Sequence, residues 1–381
     1  MHATLPRVAP RPYRVVRKVR ESEVVTSFYL VPADGAPLAP FRPGQFLTFQ
    51  MPDPMRGGIV RRSYSLSGNP DSAGHYRISV KREDAPPALT GCAPGFFSTH
   101  LHEAIEVGSE LRARGPEGRF VLDTGHDRPV VLLSGGVGLT PLVAMAHALA
   151  REGRRKTHFI HACENGRVHA LADEMKELVA GSPNLRRHIC YRTPGADDVR
   201  GRDYDSEGVV TAELLQALLP LDDYDVYLCG PSAFMQSVFA QMIGLGVREE
   251  RIRYECFGPA TLLRAEPPAE TTSRKSTPEA PASAAPASAA PAACVTATPR
   301  VTFTRSGHTV AWDPNCGTLL DFAEAQGLGP PFSCRAGLCA TCLCEMPSGE
   351  VDYVAEPLEE PAPGKVLLCC SRPRGDVAIA L

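Results

Sequence analysis

The chain has 381 residues, a formal net charge of −3 and 22% charged side chains. That length exceeds one ordinary hydrophobic core and suits two or three domains. No basic excess of the kind nucleic-acid binding requires is present, so nucleic acid is excluded as a partner. The first twenty residues are broken by Pro6, Pro10 and Pro12 and contain no apolar stretch resembling a signal peptide, so a cytoplasmic protein is expected. Pro129 to Ala150 lacks Lys, Arg, Asp and Glu and has the length of a membrane helix. Its interior Ser134-Gly135-Gly136 and Thr140-Pro141 read instead as strand, turn and helix, and no membrane contact is expected.

In chain order, residues 11–125 show short β-rich runs (Tyr13–Val19, Val24–Val31, Gln45–Gln50, Arg62–Ser67, Tyr76–Lys81) separated by Pro/Gly turns, the pattern of an antiparallel β-barrel. Residues 126–260 alternate apolar strands (Val130–Leu133, His158–Ala162, Arg187–Tyr191, Asp225–Leu228) with helical stretches, as in a parallel α/β sheet. Residues 261–297 are dominated by Ala, Pro, Ser and Thr and cannot bury enough apolar surface to fold, so they read as a linker. In residues 298–381, Val301–Thr304 and Thr309–Trp312 flank a turn like a hairpin. A helix over Thr318–Gln326 follows, opened by Thr318 and Asp321 at capping-box spacing.

Of thirteen cysteines, seven lie beyond residue 300, and this clustering points to a metal site. Cys334, Cys339 and Cys342 form C-x4-C-x2-C, with Cys369 or Cys370 downstream as a fourth ligand. This is the plant-type [2Fe–2S] spacing: four thiolates hold two irons, three of them from one tight loop of small residues. Structural zinc is the rival reading. Val366–Ser371 reads as a strand, on which successive side chains point to opposite faces, so only one of the adjacent cysteines faces the cluster.

Two glycine turns stand out upstream. Ser134-Gly135-Gly136-Val137-Gly138-Leu139-Thr140-Pro141 follows an apolar strand. Gly135, Gly136 and Gly138 let the backbone close on a pyrophosphate, Thr140 is placed to cap, and Pro141 suits a first helical position. Cys229-Gly230-Pro231-Ser232 follows a second buried strand and again opens a helix. Arg62-Ser63-Tyr64-Ser65 alternates faces on a strand, and Gly95-Phe96-Phe97-Ser98-Thr99 precedes a helix whose free N–H groups suit a diphosphate. Glu164, after the second α/β strand, favours ribose hydroxyls over a 2′-phosphate, and Arg167 would do the reverse, so NADH is expected over NADPH.

These motifs together resemble the ferredoxin–NADP reductase superfamily, most closely the reductase half of flavohaemoglobins. Residues 298–381 resemble plant-type ferredoxins. The resemblance implies a multidomain protein: an antiparallel β-barrel flavin domain, an α/β parallel-sheet nicotinamide domain and an α+β β-grasp ferredoxin domain. It implies that Arg62 binds the flavin pyrophosphate, with Ser63 in the same motif, that Tyr64 packs on the isoalloxazine, and that Ser65 hydrogen-bonds near N5. Gly95, Phe97 and Ser98 match the branch that takes FAD rather than FMN. Cys229, Gly230 and Pro231 would border the nicotinamide, and Glu255 and Phe257 of Glu-x-Phe-Gly-Pro would lie beside the flavin. The same resemblance puts Cys369, rather than Cys370, at the fourth ligand position. Ala340 stands where that family usually has glycine.

A nicotinamide gives two electrons as hydride, a [2Fe–2S] cluster takes one, and a flavin reconciles the two. The expected function is therefore an NADH-dependent reductase passing electrons through FAD and the cluster to a terminal oxygenase, of Rieske type, or another one-electron acceptor protein. A stand-alone NAD(P)H diaphorase or flavin reductase is the alternative. Nitric oxide dioxygenation needs a haem globin domain, and with about ten residues ahead of the barrel it is not expected of this chain.

Overall fold

The computed structural model describes residues 10–52, 59–72, 74–83, 96–257, 298–314, 316–330, 332, 337, 342–354, 357 and 360–381. Gly95, Cys334, Cys339 and the linker 261–297 lie outside the described residues.

The first sheet comprises β1 (Arg11–Arg20), β2 (Val25–Pro32), β3 (Phe46–Pro52), β4 (Ile59–Ser65), β5 (Tyr76–Lys81) and, beyond helix α1 (Phe96–Glu103), β6 (Glu110–Glu117). Its order is β4-β3-β6-β1-β2-β5, antiparallel throughout, and a bridge from Leu66 to Ile78 ties its two ends. Inward residues such as Tyr13, Val15, Phe28, Leu30, Leu47, Phe49 and Ile78 fill one core, which α1 caps with Phe97 and Leu101. β6 lacks the β-branched signature and escapes a sequence reading; its pairing with both β1 and β3 places it.

The second sheet contains β7 (Val130–Gly135), β8 (Thr157–Cys163), β9 (Leu185–Tyr191), β10 (Ser206–Glu207), β11 (Asp225–Gly230) and β12 (Ile252–Cys256), interleaved with α2 (Leu139–Glu152), α3 (Ala172–Ala180), α4 (Ala212–Leu218) and α5 (Ser232–Gly244). The strands are parallel in the order β10-β9-β8-β7-β11-β12. β7 and β11 are buried along their whole length, because helices cover both faces. Strand order reverses between β7 and β11, and ligands of open α/β sheets bind at the carboxyl ends of strands at such a switch point.

The apolar span from Pro129 to Ala150 is thus β7, a 3-10 turn over Gly136–Gly138 and α2, a helix of 14 residues. Among the described residues no helix is long and apolar enough to cross a membrane. One detail of the turn departs from the sequence reading. Winding begins early, so Leu139 is the first α2 residue, Gly138 caps without a side-chain bond, and Pro141 sits at the third helical position. Thr140 does not cap; its Oγ1 donates to the Val137 carbonyl at 3.1 Å.

The third unit holds β13 (Arg300–Phe303), β14 (His308–Ala311), α6 (Leu319–Ala325), β15 (Leu343–Glu345), β16 (Val351–Tyr353), β17 (Lys365–Leu367), β18 (Ser371–Pro373) and β19 (Val377–Ile379). β13 pairs antiparallel with β14 and parallel with β19, and Phe303, Trp312 and Phe322 pack between the sheet and α6. Thr318 caps α6 as its spacing predicts, accepting from the Asp321 N–H at 3.2 Å. The expected strand over Val366–Ser371 is interrupted. β17 gives way to a 3-10 turn at Leu368–Cys370 before β18 starts, so strand alternation does not govern the two cysteines.

At the switch point a Cβ on Gly138 would lie 2.3 Å from the Cys229 carbonyl oxygen and 2.6 Å from the Gly230 nitrogen. Both are backbone atoms that no rotamer change removes. Gly138→Ala is expected to destabilise the protein by about 1–3 kcal/mol, the range for overpacking a tight site. A urea titration reads the loss, and isothermal titration with NAD+ should show weakened binding in the fraction that folds.

Candidate functional site

On β4, Arg62 is exposed with its Nη1 donating to the Arg61 carbonyl at 2.7 Å, Ser65 is buried, and the Tyr64 ring lies between Phe49 and Phe97, 5.9 and 6.0 Å away by centroid. Burial pushes the Tyr64 phenol well above its ordinary pKa, so it stays neutral. Two serines of the predicted set serve the scaffold: Ser63 Oγ lies 3.0 Å from Thr48 Oγ1, and Ser98 Oγ accepts from the Glu83 N–H at 3.1 Å. Phe97 is buried in the barrel core, and Phe257 packs against the core of the second sheet.

Across from β4 lie the carboxyl ends of β11 and β12. Cys229 and Glu255 are direct neighbours in the parallel register, and Ser65 Oγ donates to Glu255 Oε2 at 3.4 Å, joining residues 190 positions apart. Glu255 thus meets Ser65 through its carboxyl and Cys229 through the strand register. The Cys229 thiol is completely buried, which raises its pKa well above the usual value and leaves no thiolate nucleophile. Glu255 keeps some solvent contact, but crowding by protein atoms drives its carboxyl up to about 8, with the Ser65 hydroxyl opposing the shift.

The two glycine turns meet behind this group. A Cβ on Gly135 would strike Phe234 at 2.8 Å and Pro231 at 3.0 Å, and one on Gly230 would come within 3.0 Å of the Gly135 backbone. Gly136, at φ +52°, faces open space: nothing stands within 4 Å of its missing Cβ. Such a bare turn at a helix start fits a diphosphate, whose oxygens need close backbone N–H groups.

In the third unit, the Cys369 N–H points to Cys342 Sγ at 3.4 Å, and the Gly337 N–H to Cys369 Sγ at 3.3 Å. The Cys370 thiol is directed to the Leu367 carbonyl at 3.7 Å, and its Sγ also lies against Gly337, 2.9 Å from where a Cβ there would stand. Thiol sulfurs from distant segments, each approached by a backbone N–H, fit an iron–sulfur cluster, whose sulfur ligands accept such bonds. Cys344 faces the Ala380 carbonyl at 3.5 Å, and Cys316 is buried in the core.

Sequence reasoning missed several groups at this centre. Arg61, next to the motif arginine, is buried at 8% exposure. Ser134 Oγ and His161 Nδ1 are 2.8 Å apart beneath the glycine turn, and His161 stacks on His169. Arg77 of the barrel meets Glu174 of α3. None carries a local pattern, since each acquires its partner only through folding.

Three family descriptions match the chain in order: an oxidoreductase FAD-binding domain over residues 13–122, an oxidoreductase NAD-binding domain over 132–239, and a 2Fe-2S iron-sulfur cluster binding domain over 301–374. The flavohaem-like FAD/NAD-binding domain of nitric oxide dioxygenase from Vibrio cholerae is 37% identical, with a TM-score of 0.58, and is covered over 100% of its length by 66% of this chain. The chain belongs to the ferredoxin–NADP reductase family. It is an oxidoreductase that binds FAD and a nicotinamide nucleotide and carries a [2Fe–2S] ferredoxin domain. The flavohaemoprotein of Bordetella pertussis is 46% identical over 65% of this chain, and the chain spans only 60% of that curated relative. Phthalate dioxygenase reductase shares the fold over 98% of both chains, at 23% identity and a TM-score of 0.54.

The raised Glu255 carboxyl has a consequence for stability. An unfolded carboxyl ionises near 4.5, so between about 4.5 and 8 the folded chain keeps a proton that the unfolded chain has lost, and stability falls as pH rises through that window. Glu255→Gln should flatten this fall, visible as a smaller drop in melting temperature from pH 5 to pH 8.5 than in the parent.

Proposed function

We propose that this reductase takes hydride from NADH onto FAD, passes electrons one at a time to the [2Fe–2S] cluster, and delivers them to a terminal oxygenase of Rieske type. The observation that carries this reading is the end of β12. Glu255 there accepts a hydrogen bond from Ser65 of the flavin motif, and the next residue, Cys256, packs against the core of the ferredoxin unit. One strand terminus thus touches all three domains in the order that electrons would follow.

This geometry supports the following roles. Arg62, exposed on β4, is suited to the flavin pyrophosphate, and Tyr64, held by Phe49 and Phe97, presents a neutral ring to the isoalloxazine. Ser65 and Glu255 hold a hydroxyl and a largely protonated carboxyl together at the flavin face. Gly135, Gly136, Gly138 and Thr140 form the nucleotide diphosphate turn. Cys229, Gly230 and Pro231 border the nicotinamide, where a small neutral thiol leaves room for ring stacking. Bound flavin supplies the two-electron to one-electron conversion. Cys334, Cys339, Cys342 and Cys369 are the proposed cluster ligands, and the approach of the Cys369 N–H to Cys342 Sγ and of the Gly337 N–H to Cys369 Sγ supports Cys369 as the fourth.

NADH is favoured over NADPH because Glu164 stands beyond the end of β8, where a carboxylate suits ribose hydroxyls and repels a 2′-phosphate. Arg167, the residue otherwise suited to that phosphate, is held only by an exposed pair with Glu23. An oxygenase as acceptor is supported by the domain order shared with phthalate dioxygenase reductase.

Cys369→Ser should lose iron and sulfide while Cys370→Ser keeps them, because a hydroxyl is a poor substitute for a thiolate on iron; a reversed result reassigns the ligand. Loss of the cluster through Cys339→Ser should cut cytochrome c reduction at least tenfold and leave anaerobic flavin reduction by NADH within about twofold of the parent. Equal loss of both activities in a folded, FAD-loaded variant would contradict the proposed electron path and favour a diaphorase.

A further inference from the structure

β5 is buried at five consecutive positions, Tyr76 to Val80, although it lies at the end of its sheet. One of those residues is an arginine. Arg77 is 6% exposed and spreads its guanidinium between the two domains. Nε donates to Ser67 Oγ at 3.1 Å and Nη2 to the Ser67 carbonyl at 2.5 Å, within the barrel. Nη1 and Nη2 donate to the two carboxylate oxygens of Glu174 on α3, at 2.5 and 2.9 Å, across the domain boundary. Glu174 also accepts from His147 Nε2 on α2 at 2.6 Å.

A fork-to-fork arginine–carboxylate pair fixes direction as well as distance, which a single lysine contact does not. Burial alone would raise the Glu174 carboxyl, yet the bonds from His147 and Arg77 outweigh it and hold the group down at about 2, so it stays charged at neutral pH. The two ends of the pair are also informative. Ser67 lies two residues after Ser65, and α2, which supplies His147, begins at the diphosphate turn. Of the other cross-boundary ion pairs, Glu23 with Arg167 and Asp71 with Arg151 are largely exposed and constrain little in comparison, while Asp123 with Arg253 is partly buried.

We propose that Arg77 and Glu174 are positioning residues that set the nicotinamide domain over the flavin domain, so that hydride transfer depends on a pair that touches neither ring. The inference rests on the proposed transfer from NADH to FAD. Small errors in the approach of reacting atoms are costly to rate even when binding persists.

The test is anaerobic stopped-flow reduction of the FAD-loaded full chain by NADH, comparing Glu174→Gln, Arg77→Lys and the double variant Arg77→Met/Glu174→Met with the parent. The limiting rate per bound flavin should fall tenfold or more in each single variant, while the apparent Kd for NADH changes less than threefold. The deuterium isotope effect from 4-deuterated NADH should approach its full value as hydride transfer becomes limiting. The double variant, which leaves no unpaired buried charge, should fold and remain slow. Asp71→Asn, which removes an exposed pair, should keep the parent rate. A purely structural role would lower melting temperature or FAD content with the rate per bound flavin within twofold of the parent, and that result overturns the proposal. A parent chain that NADH does not reduce would instead overturn the functional reading itself.

Discussion

Where strand order reverses between β7 and β11, two turns approach backbone to backbone, with room between Gly138 and the Cys229 carbonyl for no side-chain atom. This contact is the constraint on which the site depends. It aligns the carboxyl ends of the central strands, opens α2 at a bare glycine turn and places Cys229 beside Glu255 in the β12 register. A Cβ at Gly138 or Gly230 would meet the backbone of the facing turn and press the two turns apart.

The flavin barrel and the nucleotide sheet are joined by polar ties, with apolar contact added at their ends. Asp123, just beyond the barrel, is held well below the ordinary carboxylate range, at about 2, by Arg253 of β12, and the Tyr227 hydroxyl accepts from its backbone N–H at 2.8 Å. Arg155, fully buried, donates to the Asp123 carbonyl and to both oxygens of Glu152. Such bonds are directional, so they fix an angle between domains, whereas apolar packing tolerates sliding.

The ferredoxin unit is attached differently. Its own core is closed by Phe303, Trp312 and Phe322, and Cys256 is the residue of β12 packed against it. The acidic Glu350 and Asp352 that its sequence displays share a single cation, Arg374, so that edge keeps a net negative charge.

Periodicity and turn chemistry made most of the architecture legible from sequence: the β-rich runs, the apolar strands of the parallel sheet, the glycine turns, the Thr318 cap and the C-x4-C-x2-C loop are all local signals, written within about ten residues. β6 was illegible because a strand whose partners lie on both sides needs no strong propensity of its own. The start of α2 and the path of Val366–Ser371 were misjudged because tertiary packing wound one turn early and inserted a 3-10 turn in the other. That turn brings the Cys369 N–H to Cys342 Sγ and directs the Cys370 thiol to the Leu367 carbonyl. Likewise the meeting of Ser65 with Glu255 and of Arg77 with Glu174 spans 190 and 97 positions. Sequence determined which chemistry the chain carries, since ligand type and turn residue are properties of short segments. Only the tertiary structure decided which groups face one another, because a charge or hydroxyl acquires its partner when the chain closes over long loops.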